Sequence, residues 1–268
     1  MLSAIRRCVA LVAALITVPA LAAPSSGLTV VSEGPYTAPT SHQFVVHSGA
    51  LGRDFLVVVS PPVGGLPLGP GEKHPAIYAL DGGYSIAGPM GQYLSWAWVM
   101  TPAYVVSVGY LDGAANERDT DLLFRTTVRD GKTIGGGGAA FLAFLDDELR
   151  PFLESRYPID PAKAILFGHS YGGLFAANVL ADAPQSFSGY VLASISVPAD
   201  PGVIDRLAAA APKGGGRRVY VAVGANEDPA MVPPRTGSPR RWPRRAQGSR
   251  SKSTCSPATA MAATTRSW

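Results

Sequence analysis

The stretch Ile165-Leu-Phe-Gly-His-Ser-Tyr-Gly-Gly-Leu-Phe175 constrains the fold more than any other part of the chain. An apolar run ends in Gly168-His169-Ser170-Tyr171-Gly172 and passes at once into the helical pattern Leu174-Phe-Ala-Ala-Asn-Val-Leu-Ala181. That succession is the strand, sharp turn and helix of a nucleophile elbow, with Ser170 at its tip. The turn requires a strained backbone at the serine, and side chains two residues before and two after it would collide with the neighbouring strand and helix, hence Gly168 and Gly172. With 30 glycines in 268 residues the five-residue pattern can also arise by chance. Context separates the two readings: the β-prone run Lys163-Ala-Ile-Leu-Phe167 follows the turn signal Pro158-Ile-Asp-Pro161, and the helix follows directly.

The rest of the chain supplies elements of the same kind. Leu28–Val31, His42–His47 and Asp54–Ser60 are short β-like runs, expected as antiparallel strands at one edge of a sheet. His74–Leu80, Ala103–Val108, Ala164–Phe167, Tyr190–Ser194 and Arg218–Val223 are apolar on both faces, as buried parallel strands are. Helical spacing is clearest from Ala139 to Tyr157, with Pro151 expected to kink the helix or mark its restart. Strand–helix alternation predicts an α/β fold, a mostly parallel central sheet with helices on both faces. The segment from Leu111 to Gly138 is rich in charge and ends in Gly135-Gly-Gly-Gly138, which reads as a polar, mobile loop.

Composition limits what such a domain does. Arg6-Arg7, the apolar stretch Cys8–Val18 and Ala20-Leu21-Ala22 resemble the charged start, apolar core and cleavage site of a secretory signal peptide over residues 1–22, with a single-pass anchor as the alternative. An exported protein, periplasmic or secreted, is the expectation. Cleavage would leave Cys255 as the one cysteine, so neither an internal disulfide nor a cysteine metal site is expected, and the four histidines lack ligand spacing. No cofactor or metal is called for. Fifteen of the 23 basic and all 19 acidic residues lie at or before Asp228, a net −4, and the eight remaining basic residues lie beyond it. The pI of about 9.1 therefore belongs to the tail, and no nucleic-acid partner is expected of the domain.

Ile77-Tyr-Ala-Leu-Asp-Gly82, Val108-Gly-Tyr110 with Arg118-Asp119, the helix Phe141–Glu154, Leu166–Phe175 and Val223-Gly-Ala-Asn-Glu227 share an order and spacing. In these pieces the chain resembles the α/β-hydrolase superfamily, and within it the esterase D and enterochelin-esterase branch, over roughly residues 40 to 230. The resemblance implies an esterase domain over residues 23–228 acting on a small-molecule ester. It implies Ser170 as nucleophile and an oxyanion hole formed by the amides of Tyr171 and Gly83, such donors being a large catalytic contribution. It also implies a triad acid at Glu227 or Asp228, Glu227 matching the family position better. Siderophore esters, short acyl esters and S-formyl thioesters all fit. Tyr84, Tyr93, Trp96 and Trp98 would either line an aryl pocket or pack beneath the loop that carries them.

The order serine, acid, histidine is broken, because no histidine follows His169. His42 and His47 belong to edge strands, His74 to the amino end of a strand, and His169 is expected to pack beside the sheet. None is expected to act as base. From Pro229 the composition turns to Arg, Ser, Pro, Ala and Thr without apolar periodicity, so residues 229–268 read as a basic disordered tail or as the product of a reading-frame change after residues 228 to 234 in a GC-rich gene. Esterase activity of the chain as written is accordingly expected to be low or absent. Three functions compete: a serine ester hydrolase, an inactive binding protein on the same fold, and a basic-tail nucleic-acid binder.

Overall fold

The computed structural model describes residues 41–62, 71–82, 101–111, 117–210 and 216–228, and the backbone of 261–267. The signal-peptide reading, the strand expected at Leu28–Val31, Gly83 and the aromatic residues from Tyr84 to Trp98 lie outside the described residues.

An eight-stranded sheet organises the domain. Its strands are β1 (His42–Ser48), β2 (Arg53–Ser60), β3 (His74–Leu80), β4 (Tyr104–Gly109), β7 (Ile159–His169), β8 (Gly189–Ala193), β9 (Arg218–Gly224) and β10 (Met261–Ser267), while β5 (Thr127–Arg129) and β6 (Lys132–Ile134) form a separate hairpin. The order across the sheet is β1-β2-β4-β3-β7-β8-β9-β10. β1 and β2 run antiparallel at one edge, β4, β3, β7, β8 and β9 run parallel to one another, and β10 is antiparallel to β9. The parallel strands are the runs that carry no polar alternation: all six residues of β4 are buried.

Strand order fixes where a site can form. The chain leaves β3, makes β4 on one side, then crosses back over β3 to make β7 on its other side and continues outward through β8 and β9. The junction of β3 and β7 is a topological switch point, where the connections leaving the carboxyl ends diverge and open a crevice.

The described helices are α1 (Arg118–Asp121), α2, α3 (Tyr171–Asp182) and α4 (Val203–Ala210), with α2 running Gly138–Ala143, through a π-helical turn at Phe144–Leu149, into Arg150–Glu154. The π turn ends at Leu149, two residues before Pro151. A proline cannot donate to the carbonyl four residues back and its ring crowds that turn, so the widened turn and restart accommodate it. Phe141, Phe144, Leu149 and Leu153 of α2, Leu174, Phe175 and Val179 of α3 and Val203 of α4 share one buried cluster with Phe55, Val57, Tyr78, Val106 and Leu166 of the sheet. Ala79, Val105 and Phe167 alternate with these along their strands and form a second, smaller cluster on the opposite face. Within the larger cluster Phe55 stacks on Phe144 at 4.5 Å, and Phe175 bridges Phe141 and Phe124 at 5.5 and 5.2 Å, tying α2 to α3.

Three expectations change. β7 begins at Ile159, so Pro158–Pro161 opens the strand instead of preceding it. The turn chemistry survives as an irregularity in the β3–β7 register, where the Ala162 N–H donates to Asp160 Oδ1 at 3.0 Å. The segment expected as a mobile loop contains α1 and the β5–β6 hairpin, and the glycines of its closing run, Gly135 to Gly138, are packed close: a Cβ at Gly138 would meet the Phe124 Cα at 2.9 Å. Residues 261–267, expected to be disordered, pair along β9 from Met261↔Gly224 to Ser267↔Arg218. Regular backbone pairing does not need the apolar periodicity that the tail lacks. No helix among the described residues is long and apolar enough to cross a membrane.

Candidate active site

Ser170 follows the carboxyl end of β7 and caps α3 with φ 57° and ψ −117°, a combination that a non-glycine residue holds only under constraint from its surroundings. Several hydrogen bonds supply that constraint. The Ser170 N–H donates to Ala193 O at 3.0 Å, and Ser170 O accepts from the N–H groups of Leu174 at 2.9 Å and Ser196 at 3.3 Å. The half-buried side chain lies 3.1 Å from the Ser196 hydroxyl, Oγ to Oγ.

The glycines around the serine differ in what they do. A Cβ at Gly168 would overlap the Gly172 carbonyl, and one at Gly173 would stand 2.6 Å from Ala193 O. Both positions are closed to any side chain. At Gly172 the nearest atoms would be Asp81 Oδ2 at 3.3 Å and Leu80 Cβ at 3.4 Å, which is crowding without collision. The expectation of a steric requirement at 168 holds, whereas on the helical side the collision falls at Gly173 instead of Gly172, because it is Gly173 that faces the end of β8.

The turn after β3 lies across the switch point from Ser170. Asp81 takes φ 62°, the Gly82 N–H donates to Val108 O at 2.9 Å, and Gly82 O accepts from Ser107 Oγ at 2.9 Å. A Cβ on Gly82 would lie 2.8 Å from Val108 N. The Asp81 carboxylate sits in the fork of Arg118, with Nε to Oδ1 at 2.5 Å and Nη2 to Oδ2 at 2.9 Å. Arg118 also lies over the Tyr171 ring, 5.2 Å from its centroid. Arg129 of the hairpin flanks the same ring at 5.8 Å, donates to Tyr171 Oη at 3.3 Å and pairs with Asp119.

Behind this cluster, buried Asp121 anchors α1 by pairing with Arg53 and accepting from Tyr110 Oη at 2.9 Å. Burial pushes the Asp121 carboxyl above the usual carboxylate range, against the pull of Tyr110 and Arg53. Burial, and then the Asp121 charge, push the Tyr110 hydroxyl up in turn.

A cleft of about 300 Å³ opens between the hairpin residues Thr127, Val128 and Arg129 and the Tyr171, Ser196 and Pro198 side, and its Ser196 is the residue that bonds Ser170. On the far side of the turn after β8, Ser194 takes φ 45° and donates from Oγ to Glu227 Oε1 at 2.5 Å. Glu227, half-buried, reaches the β8 turn through this bond, while Asp228 is exposed. Ser194 and Ser196 carry no sequence signal of their own. They come to the site only because β8 ends beside β7.

The histidines stand elsewhere. His74 opens β3 opposite Ile159, at the far end of β7 from Ser170, which is roughly 36 Å at about 3.3 Å per residue. His42 and His47 lie on β1, four strands from β7, or roughly 20 Å at about 4.8 Å per strand, where they bond Tyr157 Oη at 2.9 Å and Asp54 Oδ1 at 2.7 Å. His169 closes β7 exposed, not packed beside the sheet. No cluster of three or more histidine, cysteine, aspartate or glutamate side chains suited to a metal occurs among the described residues.

Comparison with known proteins shows a family and a fold. Residues 48–250 match the Esterase family, whose description reads "Putative esterase". The matched span runs past residue 230, where the resemblance read from the residues ends. The siderophore triacetylfusarinine C esterase of Aspergillus fumigatus is 32% identical over 181 residues, 61% of this chain and 58% of that one. The ferri-bacillibactin esterase BesA of Bacillus subtilis is 30% identical over 179 residues, 60% of each. The chain thus spans about three fifths of the length of these relatives. The crystal structure of the BES protein from Bacillus cereus superposes with a TM-score of 0.65 at 26% identity, covering 75% of this chain and 82% of that one.

Proposed function

The chain belongs to the Esterase family and carries an α/β-hydrolase fold, and from that premise we propose that it is a carboxylic ester hydrolase working through an acyl-enzyme on Ser170. The observation that carries the reading is the strained backbone of Ser170 at the switch point, with its hydroxyl 3.1 Å from that of Ser196, a residue that lines an open cleft. In this reading Ser170 Oγ attacks the ester carbonyl while its proton passes to a base. The amide of Tyr171, joined by that of Gly83 in the turn after β3, receives the developing oxyanion. The base returns that proton to the alcohol as collapse expels it, and water deprotonated by the same base then releases the acid and restores the serine hydroxyl. Glu227 serves as the acid that orients a base, and its hydrogen bond to Ser194 sets its direction. Asp228 is the second candidate.

A small-molecule ester is the substrate class, and siderophore esters come first because the named relatives are siderophore esterases. The signal-like residues 1–22 support an exported protein.

The test is covalent labelling with a fluorophosphonate, read by mass spectrometry, with Ser170→Ala as control. Modification at Ser170 that the substitution abolishes supports the nucleophile; modification elsewhere, or none, overturns it. A second reading, an inactive binding protein on this fold, is favoured by one observation: none of the four histidines stands at Ser170 in the position of a base. It predicts an unlabelled serine and retained binding of an intact ester. The proposed frame change after residues 228 to 234 is tested by translating the encoding DNA in its other two frames. A helix, a strand and a histidine within a few tens of residues support it, and their absence from both frames refutes it.

A further inference from the structure

Resting on the ester-hydrolase reading, we propose that Arg118 is a positioning residue that locks the turn after β3 and the turn after β7 into one unit, so that the two sides of the oxyanion site are held in register from the α1 segment. Two observations carry this. First, one guanidinium holds both turns: its edge forms two parallel bonds to Asp81, and its face covers the ring of Tyr171. Second, both turns are strained at the residues involved, with positive φ at Asp81 and at Ser170, and strained backbone persists only where surroundings over-determine it.

Geometry explains why arginine stands here. A planar fork reaches both carboxylate oxygens of Asp81 while its face stays free to stack, which a lysine ammonium cannot do. Asp81 Oδ2 also marks the space beside Gly172, so displacement of the carboxylate would reach the first turn of α3. Arg118 is itself held from behind. It begins the helix whose last residue, Asp121, is buried against Arg53 and Tyr110, so the clamp is mounted on the sheet and not on a free loop.

The decisive measurement needs no turnover. Hydrogen exchange is followed at the Gly82 amide, held by Val108 O, and at the Leu174 amide, held by Ser170 O, with β4 amides as reference. Arg118→Ala is expected to accelerate exchange several-fold at both amides with β4 unchanged. Asp81→Asn is expected to do the same at Leu174, although Asp81 belongs to the other turn. The double variant is expected to match Arg118→Ala, because both substitutions remove one coupled contact. Arg118→Lys is expected to fall between wild type and Arg118→Ala. Acceleration at one amide only, additive effects in the double variant, or protection in Arg118→Lys equal to wild type would each overturn the clamp.

The rate of fluorophosphonate labelling of Ser170 is a second readout. A fall of about tenfold or more is expected in Arg118→Ala, since ~1 Å of misplacement costs up to ~100-fold. A serine that is unlabelled in the wild type counts against the ester-hydrolase reading, while the exchange result still decides the clamp.

Discussion

Substituting alanine at each of Gly168, Gly172 and Gly173 in turn separates the steric demands of the elbow from its sequence pattern. At Gly168 the new Cβ meets the carbonyl of Gly172 and lies 2.8 Å from the Gly173 nitrogen, so backbone has to move on both sides of the serine. Overpacking against backbone costs about 1–3 kcal/mol and can exceed that, which places Gly168→Ala at ~3 kcal/mol or more. Gly173→Ala meets a single carbonyl, Ala193 O at 2.6 Å, and is expected to cost ~2 kcal/mol. Gly172 differs in kind. It lies in α3, where alanine is favoured over glycine by about 0.5–1 kcal/mol, and its nearest neighbours at 3.3 and 3.4 Å are side-chain atoms. The two effects nearly cancel, and Gly172→Ala should change stability by less than ~1 kcal/mol while displacing Asp81 and slowing labelling of Ser170. Thermal unfolding followed by circular dichroism resolves the series, since each kcal/mol moves the Tm by about 2–4 °C in a domain of this size. Equal destabilisation by Gly172→Ala and Gly168→Ala would refute the reasoning, because it would mean that the pattern and not the local contact sets the cost.

Phe144→Ala removes a buried ring stacked on Phe55 and in contact with Phe141. It should cost about 3–5 kcal/mol in urea unfolding with little change in m-value. The carboxyl of Asp121 is held above its ordinary pKa of 3.8 by burial, so the folded state keeps that proton longer than the unfolded one. The stability this contributes is fully present below the ordinary value and is lost as pH rises through the folded one. The Tm of the wild type relative to Asp121→Asn should therefore fall as pH climbs from 3.8, and a difference independent of pH would contradict the assignment.

Much of this architecture is legible in the residues. The parallel strands are readable because strands buried on both faces lose polar alternation, as all of β4 does. The elbow is readable because its pattern is local: a strand, three glycines and a helix within eleven residues. Where the reading departs from the structure, the deciding contacts are distant in sequence. Gly173 is obligatory because of Ala193, and the start of β7 at Ile159 follows from its pairing with His74. The hairpin at Thr127–Ile134 is hidden in a charged segment because its short strands carry no buried face of their own.

The sequence by itself determined that Ser170 would stand at the tip of a strand–turn–helix, and that no histidine would follow it, since both are statements about neighbours along the chain. Only the tertiary structure decided which groups gather at the carboxyl ends of the strands, with Ser196 bonded to Ser170. Ser194 and Ser196 come from the end of β8, Glu227 from the end of β9, Asp81 from the end of β3 and Arg118 from α1. They converge because parallel strands bring all their carboxyl ends to one edge of the sheet, and a switch in strand order leaves a gap there for them to line.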